Sequence, residues 1–122
     1  AGSLGVGGGL CPPFAIENNE GDVSCQFTSC GGPVIISQCP EGYTGYGYGV
    51  PTCTGSTQLS VLFNGSVLSF DESSIGPCGC PELKYTLEKD VCRTYEVFQT
   101  CIDGVDDCSG TTAVFAGPPP PV

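Results

Sequence analysis

The residues best suited to chemistry in this chain are its ten cysteines, spread over 122 residues that include no histidine. Cysteine thiolates bind zinc or iron–sulfur clusters, but zinc sites usually combine paired C-x2–4-C motifs, often with histidine. The one spacing of that kind, Cys25 to Cys30, has no second motif to match it. An even number of cysteines in a short chain instead indicates disulfide bonds formed in an oxidising compartment. We therefore predict a disulfide framework built from Cys11, Cys25, Cys30, Cys39, Cys53, Cys78, Cys80, Cys92, Cys101 and Cys108.

Two disulfide pairings are predicted from the loops that they would close. Cys101 with Cys108 closes the loop IDGVDD, and Cys39 with Cys53 closes a tyrosine-rich loop. The other pairings stay open. Each bridge typically contributes about 2–4 kcal/mol, which matters because a glycine-rich chain of this length buries only a modest core.

Catalysis is not expected. Without histidine, neither a Ser–His nor a Cys–His pair can be built. Paired carboxylates can hydrolyse glycosidic bonds, but the adjacent acids at positions 71–72 and 106–107 point in different directions as chain neighbours. We therefore expect a protein that is not an enzyme and that needs no cofactor.

Oxygen-rich loops leave one alternative open, a calcium site. Oxygen ligands on an extracellular sandwich suit a hard cation, although the spacing matches no EF-hand. The other interpretation is that these are ordinary solvated turn acids. The candidate ligands are Asp71 and Glu72, which follow a predicted hairpin, and Asp103, Asp106 and Asp107, which lie in the loop before Cys108.

Charge and composition exclude several partners. Thirteen acidic and three basic residues give a net charge of −10, which disfavours nucleic acids and anionic membranes. No apolar run is long enough to cross a bilayer. Methionine is absent, so we expect that the start was removed or that the chain is a piece of a longer protein, with a secretory signal upstream. The predicted location is extracellular or at the cell surface.

The hydrophobic pattern has a period of two and predicts an all-β fold. In residues 58–70, QLSVLF-NG-SVLSF, the Asn64–Gly65 pair indicates a type I′ turn between two antiparallel strands. With a two-residue loop, three cross-strand pairs are predicted, and their side chains share one largely apolar face that lies toward the core. The pairs are Phe63 with Ser66, Val61 with Leu68, and Leu59 with Phe70.

Further short strands are predicted at residues 23–28, 34–37, 83–87, 93–100 and 111–115. In residues 93–100, Tyr95, Val97 and Gln99 share one face of the strand. Short strands separated by turn residues are typical of an antiparallel sandwich. We predict a disulfide-stapled, jelly-roll-like β-sandwich at residues 11–115, between an extended glycine-rich arm at residues 1–10 and a proline tail at residues 116–122.

The two cysteine-free ends are the strongest functional signal in the sequence. In the arm, Leu4, Val6 and Leu10 are expected to dock as an added strand on the sheet edge of another copy. Four consecutive prolines form a stiff polyproline II rod, and such tracts resemble the hydroxyproline-rich, O-glycosylated segments of secreted algal and plant proteins. Such head-to-tail coupling does not close on itself and yields a filament. The rod is formed by Pro118, Pro119, Pro120 and Pro121.

Two other features suit a secreted chain. Asn64-Gly65-Ser66 is an N-glycosylation sequon at the predicted hairpin tip, and a bare turn asparagine is the equal alternative. Tyrosines exposed on a loop can stack on sugars or pack at a protein interface. Because the chain has no tryptophan, the interface interpretation is favoured for Tyr43, Tyr46 and Tyr48.

Residues 39–114 carry the landmarks STQLSVLFNGSVLSFDE, Cys78, LKYTL, CRTYEVFQTC and DDCSGTTAVF. This stretch resembles the cysteine-bearing jelly-roll sandwiches related to the bacterial pre-peptidase C-terminal domain. Relatives of that family occur in secreted and surface proteins of algae and other protists, including mastigonemes. The family usually has adjacent acids after the second hairpin strand, matched here by Asp71 and Glu72. The resemblance implies a binding or assembly module without catalytic residues.

Together these features predict a structural subunit of an extracellular glycoprotein fibril or matrix, whose partners are identical subunits and glycans. The alternative is a carbohydrate- or calcium-binding adhesion module of a larger surface protein.

Overall fold

A computed structural model describes residues 2–6, 8–18, 21, 23–38, 52–72, 80–88, 91–102 and 107–116. Within these ranges the regular secondary structure consists of short β-strands. None of these residues belongs to a helix long and apolar enough to cross a bilayer. The strands are β1 (Gly2–Val6), β2 (Gly8–Leu10), β3 (Phe14–Ile16), β4 (Val23–Ser29), β5 (Gly32–Ser37), β6 (Thr52–Thr54), β7 (Thr57–Phe63), β8 (Ser66–Glu72), β9 (Glu82–Leu87), β10 (Arg93–Cys101), β11 (Cys108–Thr111) and β12 (Ala113–Ala116).

The strands form two main sheets and a small third one. A five-stranded sheet has the order β1-β4-β10-β7-β8, and a four-stranded sheet has the order β2-β12-β5-β9. A three-stranded sheet, β3-β11-β6, extends one end of the molecule. All pairs are antiparallel except β1 with β4, which is parallel. The predicted all-β sandwich is confirmed.

The core lies between the two main sheets and follows the alternation of the strands. In β10, Tyr95, Val97 and Gln99 are buried while the residues between them are partly exposed, as the sequence pattern predicted. Tyr95 stacks on Phe27 of β4, with ring centroids 5.5 Å apart. The buried cluster takes residues from both sheets: Cys11, Cys25, Phe27, Val34, Ile36, Leu59, Val61, Leu83, Leu87, Tyr95, Val97 and Val114.

A chain of buried polar side chains connects the two sheets at one end of the sandwich. Thr57 Oγ1 donates to Gln38 Oε1 at 2.6 Å, and Gln38 Nε2 donates to Thr112 Oγ1 at 3.0 Å. Thr112 Oγ1 then donates to Gln99 Oε1 at 2.6 Å, and Gln99 Nε2 donates to the carbonyl of Val23 at 3.3 Å. All four side chains have 0% exposure, so each depends on its partners to offset the loss of water. We call this end the network end.

The hairpin of β7 and β8 corrects part of the predicted register. Asn64 and Gly65 have φ values of 55° and 82°, as a type I′ turn requires, and Phe63 pairs with Ser66. A register shift between Val61 and Leu62 then follows.

Because of this bulge, the other two predicted pairs are wrong. Val61 lies opposite Ser69 rather than Leu68, and Leu59 lies opposite Asp71 rather than Phe70. A one-residue shift moves side chains to the opposite face of a strand. Phe70 is therefore 56% exposed instead of buried.

Four disulfides join the described cysteines, as is typical of proteins that fold in oxidising compartments. The predicted Cys101–Cys108 bridge is confirmed. The predicted pairing of Cys39 with Cys53 is wrong, because Cys53 of β6 bonds to Cys80, at a Cα distance of 5.9 Å. Proximity across the fold, rather than the length of the intervening loop, decides this pair. The remaining bridges are Cys11–Cys25 and Cys30–Cys92.

The glycine-rich arm belongs to both sheets of its own chain. β1 pairs with β4, with Ser3 opposite Gln26, and β2 pairs with β12, with Leu10 opposite Ala113. Leu10 also packs against the buried pair Ala113 and Phe115. The expected docking on another copy stays a prediction, since the same edges are filled here from within the chain.

The buried polar network predicts the effect of removing one hydroxyl. Thr112→Val keeps the shape of the side chain but leaves Gln38 Nε2 and Gln99 Oε1 without their partner. Each orphaned group costs about 1–3 kcal/mol, so the free energy of unfolding should fall by about 2–6 kcal/mol in urea titrations with the disulfides intact. The control Thr94→Val, at an exposed position of β10, should change it by less than about 0.5 kcal/mol. Equal effects for the two variants would contradict a stabilising network.

The bulge in β8 predicts a second contrast. Phe70→Ser should lower the free energy of unfolding by less than about 1 kcal/mol, because the ring lies mostly in solvent. Leu59→Ala, at a position with 0% exposure, should lower it by about 2–5 kcal/mol. If thermal or urea unfolding gave similar losses for both, Phe70 would face the core as the simple alternation predicted.

Candidate functional site

Several predicted site residues lie outside the described ranges. They are Cys39, Cys78, Tyr43, Tyr46, Tyr48, Asp103, Asp106 and Pro118–Pro121. The sugar or interface role of the tyrosines and the connector role of the prolines therefore stay predictions.

The acidic residues are described only in part. Asp71 and Glu72 end β8, opposite Leu59 and Gln58. Asp107 Oδ1 accepts a hydrogen bond from the backbone N–H of Asn18 at 3.1 Å, so this carboxylate links the end of β3 to the start of β11. Within the described residues, no group of three or more metal-ligating side chains comes together. Calcium binding stays a prediction.

The sequon occupies the exposed tip of the β7–β8 hairpin. Asn64, Gly65 and Ser66 are all exposed. Both turn residues have positive φ, so Asn64 lies in a tight two-residue turn, and its side chain is exposed. A bulky substituent on a hairpin tip disturbs no strand pairing.

The hairpin tip marks one end of the sandwich, which we call the hairpin end. Strand registers place Arg93 opposite Ser29 and Leu87 opposite Gly32 at this end. β12 also runs toward it, and its last residue, Ala116, lies opposite Val34, which lies opposite Tyr85. The hairpin end therefore brings together the turn of the hairpin, the C-terminal end of β12 and the start of β10.

A small cleft opens between the two main sheets at the hairpin end. Its volume is about 120 Å³. One wall comes from the five-stranded sheet and the other from β9 and the residue that follows it. The lining residues are Phe63, Leu68, Tyr85, Thr86, Leu87, Glu88, Arg93 and Tyr95.

Aromatic rings and one ion pair shape this cleft. The Arg93 guanidinium lies over the Phe63 ring, 4.7 Å from its centroid, a cation–π contact. Phe63 contacts Tyr95 with centroids 5.5 Å apart, which connects the cleft to the core. Arg93 Nη1 donates to Glu88 Oε2 at 3.0 Å. Because this pair is partly exposed, it contributes little stability, but it gives the guanidinium a second contact beside the ring.

The described lining of the cleft offers flat apolar faces and one charged pair. The cleft could not be predicted from the sequence, because its residues come from separate strands. The one feature of the sequence that pointed to the cleft was the position of Phe63 and Arg93 at the ends of predicted strands, next to predicted turns.

A second surface lies on the outer face of the five-stranded sheet, which we call the outer patch. In one row Phe98 pairs with Ser60, which pairs with Phe70, and in the next row Leu62 pairs with Val67. Val67 and Phe70 are 58% and 56% exposed and lie on β8, the last strand of the sheet. Exposed apolar residues grouped on an edge strand are typical of association surfaces.

This chain matches no protein-family model, no curated protein and no solved structure. Function is therefore inferred from the geometry and the sequence of the chain itself.

Proposed function

We propose that this protein is a structural subunit of an extracellular glycoprotein fibril, in which the arm of one copy completes the sheets of the next. The observation that carries the proposal is the pairing of the arm. The residues before Cys11 supply an edge strand to both main sheets, β1 on β4 and β2 on β12. An edge strand held through backbone hydrogen bonds can come from any copy of the chain.

The way the arm is attached favours exchange. β1 pairs in parallel, with an irregular register between Ser3 and Val6, and parallel pairing is slightly less stable per residue than antiparallel pairing. Glycine supplies half of residues 1–10, and ordering glycine costs the most conformational entropy. The body, in contrast, is closed by disulfides, so the arm can leave without unfolding it.

The outer patch supports association between subunits. Val67 and Phe70 are the large apolar side chains that the described surface leaves most exposed. An isolated subunit gains nothing from this exposure, whereas lateral packing in a fibril would remove both residues from water. The net charge of −10 keeps free subunits apart until the arm is engaged.

The remaining elements fit a secreted fibril. The disulfides suit an oxidising environment, the sequon stands at an accessible tip, and the proline tract would act as a stiff, glycosylated connector. We also propose, on the landmarks in residues 39–114, that the body is related to pre-peptidase C-terminal-like sandwiches. The alternative of a sugar- or calcium-binding adhesion module rests partly on residues outside the described ranges, and the described residues bring no three metal-ligating side chains together.

Locking the arm in its own chain tests the proposal. Ser3→Cys with Gln26→Cys places a cysteine pair at opposed positions of β1 and β4. Once oxidised within one chain, this pair should abolish filament growth, measured by light scattering and electron microscopy, because the arm can no longer reach a second copy.

A matched control adds the same number of cysteines within the body. Thr28→Cys with Thr94→Cys uses neighbouring strands of the same sheet, where the two hydroxyls lie 3.4 Å apart. Filaments should form normally from this variant. Deletion of residues 1–10 should likewise stop polymerisation without unfolding the body, and unchanged filaments from the locked or the deleted arm would refute arm exchange.

A further inference from the structure

We propose that the cleft at the hairpin end is a binding site for a polyproline II segment, and that its occupant is the proline tail of the same chain. The proposal joins two features that lie apart in the sequence. The cleft is lined by Phe63, Tyr85 and Arg93, and the tail comprises the residues after β12. It concerns the free subunit, whose tail would have to leave the cleft before it could act as the connector proposed above.

The chemistry of the cleft fits proline. Domains that recognise polyproline II helices present flat aromatic rings, on which proline rings pack without losing rotamer freedom. Here Phe63 and Tyr85 are both half-buried and face the cleft from opposite sheets. The exposed carbonyls of a polyproline segment need donors, and a guanidinium carries five N–H groups. Contact with Glu88 uses only one nitrogen of Arg93 in the described contacts.

The exit of β12 brings the tail to the same end as the cleft. Ala116 lies two strands away from Tyr85, with Val34 between them. Two inter-strand steps span about 10 Å. Gly117 and the four prolines that follow it span about 15 Å in a polyproline II conformation. The tail is therefore long enough to cross β5 and reach the cleft within one chain.

Two physical effects favour the chain's own tail over that of a neighbour. A segment tethered this closely has an effective concentration in the millimolar range, above that of free subunits in dilute solution. Proline also restricts the unbound tail, so that little further entropy is lost on docking.

NMR on the dilute full-length chain tests this assignment. We expect nuclear Overhauser contacts between proline δ protons and the ring protons of Phe63 and Tyr85, with intensities that do not change on dilution. Replacing the tract by serine (Pro118→Ser, Pro119→Ser, Pro120→Ser and Pro121→Ser) should remove these contacts and shift the Arg93 Nε–H signal. This variant leaves every described residue unchanged, so it does not risk the fold.

Variants of the cleft provide the matched comparison. Tyr85→Leu should weaken the tail contacts to the remaining Phe63 ring, while Phe70→Leu, which changes an aromatic residue on the outer patch, should leave them intact. Absence of tail contacts in the native chain, or their persistence after Tyr85→Leu, would overturn the proposal. Contacts that vanish on dilution would also overturn it, since the tail would then dock on another copy. Filament growth is not measured here, so failure of this proposal is distinct from failure of arm exchange.

Discussion

The fold depends on the buried relay of hydrogen bonds from Thr57 through Gln38, Thr112 and Gln99 to the Val23 carbonyl. Each amide uses its oxygen as acceptor and its nitrogen as donor in one consistent direction. The relay joins the start of β7, the end of β5, the link before β12, the C-terminal part of β10 and the start of β4. A shift in any of these strands would leave a buried polar group unpaired. The network therefore sets which strand ends meet at the network end.

The cleft lies at the opposite end of the sandwich, the hairpin end, and the outer patch lies on the outer face of the five-stranded sheet. Cys11, which precedes β3, is held close to the relay, since its N–H donates to the Thr112 carbonyl at 2.8 Å. This hydrogen bond fixes the position from which the arm extends along the edges of both sheets. At the hairpin end, the ring of the buried Tyr95 contacts the ring of Phe63, and Phe63 in turn contacts the Arg93 guanidinium. The cleft is therefore anchored to the buried core. The outer patch and the sheet edges that pair with the arm are the surfaces of the proposed association between subunits.

Some of these features could be predicted from residue types, because they are local. Alternation predicted the buried face of β10, Asn64–Gly65 predicted the turn, and the short loop predicted the Cys101–Cys108 bridge. Alternation failed at Phe70, because a bulge adds one residue without leaving a mark in the sequence. Loop length failed for Cys53, whose partner Cys80 is brought near by the packing of a different sheet. The cleft was missed for the same reason, since Phe63, Tyr85 and Arg93 meet only through long-range pairing.

By itself, the sequence determined the all-β class, the disulfide chemistry and the acidic character of the chain. These follow from composition and short-range periodicity, which each segment carries independently of the rest. Only the tertiary structure decided which cysteines meet, which face Phe70 takes, and where the arm and the end of β12 lie. Those outcomes depend on contacts between segments far apart in the chain, whose energies are settled together when the two sheets pack. The disulfides hold the body closed, and the packing of its sheets determines where the arm and the end of β12 lie.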